Sequence, residues 1–436
     1  MSKQFIFWIV FNKNQPCAHT ASKYTYFCIM ALEKTLRWFG QNDPVSLSEI
    51  RQTGVEGIVP ALHHIPKGQV WPLCDIRNRK SEIEQAGMSW HVVESLPISD
   101  AIKTGSAEQA QDIENYKESM RNLARCGVDT ICYNFMPVLD WARTNLKYTT
   151  ETGGESMLFD YPTFAAFDVF ILERPNAEKD YPGEIVKLAR SAYGAMTEQE
   201  AELLAFNIIV VTQGFIHGAI DSNVDDYKSK FLEYINSYKH IDQNHLRENL
   251  GYFLDEVIPV AEELNMNMAI HGDDPSFPLL GLPRIVSNIE DLKWIFNRQT
   301  SVRNGLTFCS GSFSTNRNND LIKMVNQFAD RIHFAHIRNT QFLENKSFYE
   351  SGHLKGSIDV YALVKALLKE QNRRIHCGRK DNRIPIRPDH GIKILNDFKQ
   401  EANPGYPLIG RLRGLAEIEG LEEGIRRDPG SMDKST

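Results

Sequence analysis

His271, Cys309, His336 and Asp389 each stand at or near the end of a short apolar run, in MNMAIH, LTFCSG, IHFAHIR and IPIRPDHG. Two imidazoles, a thiolate and a carboxylate are the donors of a transition-metal site. Each has a plainer use when taken singly. His271 precedes the turn-forming Gly272-Asp273-Asp274-Pro275 and could simply bond to that acidic loop. A buried cysteine is commonly a packing residue. Four such donors on four consecutive strand-like segments point instead to one shared metal. Affinity alone would suit Zn²⁺, while geometry and availability leave Mn²⁺ or Fe²⁺ open.

Nearby residues extend the chemistry. His333 and His336 lie three apart on one strand and point to opposite faces, so only His336 joins the site. Arg338 shares the face of His336 and is a candidate clamp for a substrate carboxylate, with a rim salt bridge as its ordinary use. His390 follows Asp389 and diverges from it, a candidate for proton transfer near neutrality. Tyr406, in NPGYP, can bring a phenol to the site from a turn entering a last strand. His63 and His64 follow one strand, and Glu94 and Asn134 end the next two. His64 and Asn134 are the candidate polyol contacts.

The elements that must position these side chains alternate strand and helix, which argues for a parallel sheet. Eight strands are expected, near 57, 89, 128, 266, 305, 331, 384 and 407. The fold class is α/β, a TIM-type (β/α)8 barrel with a helical insertion between the third and fourth strands, at about 145–240. In such barrels the active site lies where the strands end. Thr197 and Glu200 form a capping box, and Leu246, Leu250, Phe253, Leu254, Val257, Ile258 and Ala261 recur at helical spacing. The barrel is expected over 30–427, with 428–436 a flexible tail and 1–29 a dispensable extension ahead of Met30.

A net charge of −7 over 436 residues gives no footprint for nucleic acid. No apolar stretch approaches the roughly 20 residues of a membrane helix. Neither GxGxxG nor GxxxxGK[ST] occurs, so a nucleotide site has no support. Seven scattered cysteines without a CxxC pair suit a reducing cytoplasm.

ALHHIP, NFMPVLDW, DDPSFPLLGLPRIVS, RPDHG and NPGYPLIGRLRGLAE together resemble the mannonate dehydratases, from about Leu36 to Ile425. The resemblance implies a TIM barrel, Mn²⁺ or Fe²⁺, and dehydration of D-mannonate to 2-dehydro-3-deoxy-D-gluconate in hexuronate (glucuronate) catabolism. The family's metal ligands fall on His271, Cys309, His336 and Asp389, and its acid/base and binding groups on His390, Tyr406 and Arg387. The segment after Cys309 reads SGSFSTN, where TGSYGVR would be expected. A small sugar acid is the expected partner, and a homo-oligomer the expected assembly.

The chemistry fits. A proton beside a carboxylate is weakly acidic, because its loss adds charge to an existing anion, and a divalent cation relieves that charge. A base takes the C2 proton while an acid protonates the departing C3 hydroxyl. His390 and Tyr406 take these roles, in either order. The alternatives are a metal-dependent sugar isomerase or epimerase, which expels no hydroxyl, and a barrel that binds sugar acids without turnover.

Overall fold

The structure, a computed structural model, describes residues 30–213 and 226–428. The expected extension (1–29) and the tail beyond Asp428 lie outside these residues. In chain order the strands are β1 (Glu33–Arg37), β2 (Gly57–Val59), β3 (Val92–Glu94), β4 (Thr130–Tyr133), β5 (Asn145–Thr149), β6 (Glu155–Phe159), β7 (Asn267–His271), β8 (Asn304–Cys309), β9 (Ile332–Ile337), β10 (Thr340–Phe342), β11 (Phe348–Glu350) and β12 (Pro385–Pro388).

Eight of these pair in parallel, in the order β2-β1-β12-β9-β8-β7-β4-β3. A bridge between Gly57 and Ser89, with Ile58 N donating to Ser89 O at 2.8 Å, links β2 toward β3 and closes the circle. Helices follow the strands, among them Leu73–Gln85, Gln109–Arg125, Gln243–Glu263, Val360–His376 and Leu408–Arg427. The fold is a TIM-type (β/α)8 barrel. Its strands are almost wholly buried, as expected for a parallel sheet covered on both faces. The Gln243–Glu263 helix buries all seven apolar residues that its periodicity picked out.

Two expectations need correcting. The segment 407–414 is not a strand but the start of the helix Leu408–Arg427, whose buried Arg411, Leu415, Ile418, Glu422 and Ile425 recur every three to four residues. The missing barrel strand is β1, whose Lys34 and Arg37 disguise it. Both are buried because Lys34 pairs with Glu422, and Arg37 Nη1 lies 3.1 Å from Glu94. The count therefore shifts by one, and the long insertion falls between the fourth and fifth barrel strands. It is also not purely helical, since it opens with β5 and β6.

β5 and β6 join β10 and β11 in a four-stranded antiparallel sheet, ordered β10-β11-β6-β5. This sheet is built from the segments after β4 and after β9. It has its own apolar cluster, including Leu139, Phe159, Phe164, Leu279 and Phe348. Inside the barrel, Val59, Val92, Cys132 and Phe334 from four different strands form a small separate cluster. Two residues further along their strands, Glu94, Asn134 and His336 share the faces of Val92, Cys132 and Phe334. An apolar layer thus precedes a polar one at the strands' C-terminal ends.

Candidate active site

One cleft at those ends is lined by Arg37, Glu94, Asn134, Trp141, His271, Asp274, Arg338, Arg387, Asp389, His390 and Tyr406, among others. Donor atoms of His271, Cys309 and His336 all lie within 4.8 Å of one another. Each comes from the last turn of a neighbouring strand: His271 and Cys309 end β7 and β8, and His336 is paired with Cys309 in register on β9. Asp389, just past β12, places Oδ2 3.7 Å from Cys309 Sγ and 3.9 Å from His336 Nδ1.

The surrounding bonds fix which imidazole nitrogens carry hydrogen. His271 Nδ1 donates to the Gly272 carbonyl at 2.6 Å, so its Nε2 presents a lone pair. Arg387 Nη2 donates to His336 Nδ1 at 3.5 Å, so that nitrogen is also an acceptor. His336 Nε2 faces Glu94 Oε2 at 3.5 Å, the carboxylate–histidine arrangement that orients metal ligands. The two lone-pair nitrogens stand 3.2 Å apart. Two nitrogens at that distance can share a proton in a hydrogen bond or a common metal cation. The donor set and its orientation fit a divalent metal held by His271, Cys309 and His336. Asp389, the fourth candidate, stands outside that cluster and its oxygens hold Arg387 and Arg338.

A buried ionic lattice surrounds these donors. Arg387 donates to both Glu94 oxygens, at 3.0 and 2.9 Å, and to Asp389. Arg338 reaches Asp389 at 3.2 Å and Asp274 at 2.7 Å, with Nε 3.4 Å from Glu350. Arg143, fully buried, joins Asp274 to Glu350. Burial disfavours the charged carboxylates, but Arg387, His336 and Arg37 hold Glu94 well below the usual range. Arg387, His390 and His336 do the same for Asp389 against the same burial.

His390 leaves the strand pattern through a left-handed backbone, φ 55°, which only a few per cent of non-glycine residues adopt. Its ring lies edge-on to Tyr406, centroids 5.4 Å apart, and 5.7 Å from Trp141. Tyr406 is brought over it by a close backbone approach. A Cβ on Gly391 would meet Arg411 N at 2.6 Å, and one on Gly410 would meet Ile392 O at 2.1 Å. Burial pushes the Tyr406 phenol up, and Arg387 only partly offsets this.

The site thus gathers His271, Cys309, His336, Asp389, His390, Tyr406, Arg338, Arg387 and Asn134, which donates to Asp140 at 3.0 Å. His64 is not among them. It is exposed, pairs with Asp75 at 2.9 Å, and lines a separate groove. Sequence reasoning passed over Arg37, Asp274, Arg143 and Glu350. Asp274 was visible in the acidic turn after His271, whereas Glu350 lies on a three-residue strand with no local signal.

The sequence model of the D-mannonate dehydratase (UxuA) family matches residues 32–430. This chain belongs to the D-mannonate dehydratase family. A mannonate dehydratase of Chromohalobacter salexigens is 47% identical over 400 residues, covering 91% of this chain and 99% of the relative. One from Marinomonas sp. is 43% identical over 397 residues, covering 91% and 99%. The crystal structure of mannonate dehydratase from Streptococcus suis serotype 2 superposes with a TM-score of 0.71 at 32% identity, covering 92% of this chain and 96% of that one. The chain is therefore a hydro-lyase, which removes the isomerase and the non-catalytic barrel as readings of the site. Among the described residues, no helix is long and apolar enough to cross a membrane.

Proposed function

We propose that this mannonate dehydratase family member eliminates water from D-mannonate in a metal-dependent reaction, giving 2-dehydro-3-deoxy-D-gluconate in hexuronate (glucuronate) breakdown. The observation that carries the metal dependence is the convergence of donor atoms from His271, Cys309 and His336, all within 4.8 Å of one another. Mn²⁺ or Fe²⁺ is the proposed ion, held by these two histidines and Cys309, with Asp389 beside them. When bound, such a cation supplies Lewis-acid relief of the charge that builds on the substrate carboxylate.

This chain's residues do the rest. His390 takes the C2 proton: it lines the cleft with its Nδ1 side turned toward Glu350 at 3.2 Å and its Nε2 3.7 Å from Asp389 Oδ1. Burial keeps the Tyr406 phenol protonated, which suits it to give its proton to the C3 hydroxyl as that group leaves as water. The C2 electron pair becomes the C2–C3 double bond, and the enol tautomerises to the 2-keto acid. Arg387 and Arg338 spend their terminal nitrogens on carboxylates, Arg387 on Glu94 and Asp389 and Arg338 on Asp389 and Asp274, so they hold these acids in place rather than clamp substrate. Asn134 remains a candidate hydroxyl contact.

A cytoplasmic, homo-oligomeric enzyme completes the reading. The five cysteines among the described residues are all unpaired, in keeping with a reducing compartment. The test is 2-keto-3-deoxy acid formation from D-mannonate by metal-stripped protein before and after Mn²⁺ or anaerobic Fe²⁺. Product that appears only with metal is expected. Turnover that survives complete metal removal would reject the metal-dependent mechanism.

A further inference from the structure

Arg37 ends β1, the strand hidden in the sequence, and differs from the other cations of the cleft. Arg387 donates from Nε and both terminal nitrogens to carboxylates, and Arg338 does so from both terminal nitrogens, its Nε making no hydrogen bond but facing Glu350 Oε2 at 3.4 Å. Arg37 directs only Nη1 at one, Glu94 Oε1 at 3.1 Å. Its Nε is buried and makes no hydrogen bond. The residue is 4% exposed, and its guanidinium carbon sits 4.9 Å over the Phe39 ring, so the group is held in place rather than swinging in solvent.

A guanidinium carries five N–H donors in a rigid fork that matches the two oxygens of a carboxylate. A buried donor without a partner is unfavourable, and a ligand that fills it gains that energy on binding. Arg37 lines the same cleft as His271, Asp389, His390 and Tyr406. The Glu94 carboxylate contacts both Arg37 and His336, whose Nε2 is 3.5 Å from Glu94 Oε2. A bound sugar acid is an anion entering a cleft whose other two arginines are already engaged.

We propose that Arg37 anchors the substrate, its unfilled Nε edge taking the carboxylate of the sugar acid. This rests on the sugar-acid reading above, and it names the residue that reading lacks. Arg37 is a binding residue: it fixes the acid end of the chain so that C2 and C3 come to His390 and Tyr406. Glu94 has a second consequence here. By holding Nη1 it orients the fork, leaving the opposite edge for the ligand.

The test uses full-length, metal-loaded protein carrying Arg37→Met or Arg37→Lys. Steady-state kinetics on D-mannonate give KM and kcat. Binding of D-mannonate and of neutral D-mannitol is measured in a His390→Asn background that blocks turnover, and metal content is assayed throughout. Arg37→Met should raise KM and Kd for D-mannonate roughly 10–100-fold, the loss of a charged hydrogen bond. Its kcat should stay within about threefold, its metal content should be unchanged, and D-mannitol binding should be unaffected. Arg37→Lys, which keeps the charge and guards against misfolding of the Met variant, should recover part of the loss.

An unchanged KM and Kd would overturn the proposal. So would a fall in kcat with lost metal and unaltered Kd, which would make Arg37 only a support for Glu94. Equal weakening of D-mannitol would also overturn it, by moving the contact to a hydroxyl. Failure of the dehydratase reading looks different: wild-type protein would bind D-mannonate in an Arg37-dependent way but release no keto acid. Wild-type protein that binds no D-mannonate would overturn both.

Discussion

His390 Nδ1 lies 3.2 Å from Oε1 of Glu350, although one residue follows the last barrel strand and the other ends β11 of the antiparallel sheet. Glu350 is 3% exposed and accepts from Arg143, with Arg338 Nε 3.4 Å away. The carboxylate is therefore ionised and faces the imidazole. A carboxylate at that distance favours hydrogen on Nδ1 over hydrogen on Nε2, a positioning role.

Glu350→Gln tests that role. The amide is nearly isosteric but can present an N–H to Nδ1 and so favours the wrong tautomer. We expect kcat to fall at least about tenfold, roughly 1.4 kcal/mol of transition-state stabilisation, with KM changed much less. Glu350→Asp should restore part of the rate. Equal losses in the Gln and Asp variants would mean that the carboxylate only fills space.

The same carboxyl makes stability depend on acidity. Burial raises its pKa, but Arg338, Arg143 and His390 outweigh this and bring it from 4.5 to about 2. Below about pH 4.5 the unfolded chain takes up a proton here and the folded chain does not, until pH approaches 2. The contribution is complete above that window and drains away as pH falls through it. Urea midpoints of the wild type should drop between about pH 5 and pH 3, and Glu350→Gln should flatten part of that slope.

Arg143 is the cation shared by Asp274 and Glu350, and it is wholly buried. Arg143→Met leaves two buried carboxylates short of a partner. Breaking a buried pair from one side costs about 3–5 kcal/mol, which urea denaturation would resolve. A loss below about 1 kcal/mol would show that Arg338 alone satisfies both acids.

Cys309→Ser removes the thiolate from the three-residue donor cluster while leaving the two histidines facing each other. Outer-shell losses alone lower metal affinity roughly 10–100-fold, and loss of a ligand should do at least as much. Metal retained after gel filtration should fall well below the wild-type ratio. Full retention would assign Cys309 to packing.

His64→Ala should leave kcat and KM within about twofold, because His64 faces Asp75 on an exposed surface rather than the cleft. A large rise in KM would restore it as a substrate contact.

The donors were legible because each lies at the C-terminal end of a recognisable apolar run, and a barrel turns such ends into one surface. β1 was not, since Lys34 and Arg37 read as solvent residues until Glu422 and Glu94, far away in sequence, are placed beside them. The run beginning at Leu408 misled because Leu408, Ile409 and Leu412 look like a short strand. The buried positions from Gly410 through Arg411, Gly414, Leu415 and Ile418 instead follow a helical turn. Glu350 and Arg143 carried no local signal at all. Their importance comes from long-range pairing between two loops, a relation that no short window of sequence contains.

That pairing is made by β6 and β11, where Phe348 meets Phe159 and Tyr349 meets Leu158. One half of the mouth is contributed by the segment after β4 and the other by the segment after β9. The two are therefore one structural unit. A designer who transplants either loop alone from a relative with different spacing would leave a naked strand edge above the reaction centre, inviting aggregation. New substrate ranges on this scaffold are best sought by exchanging both halves together.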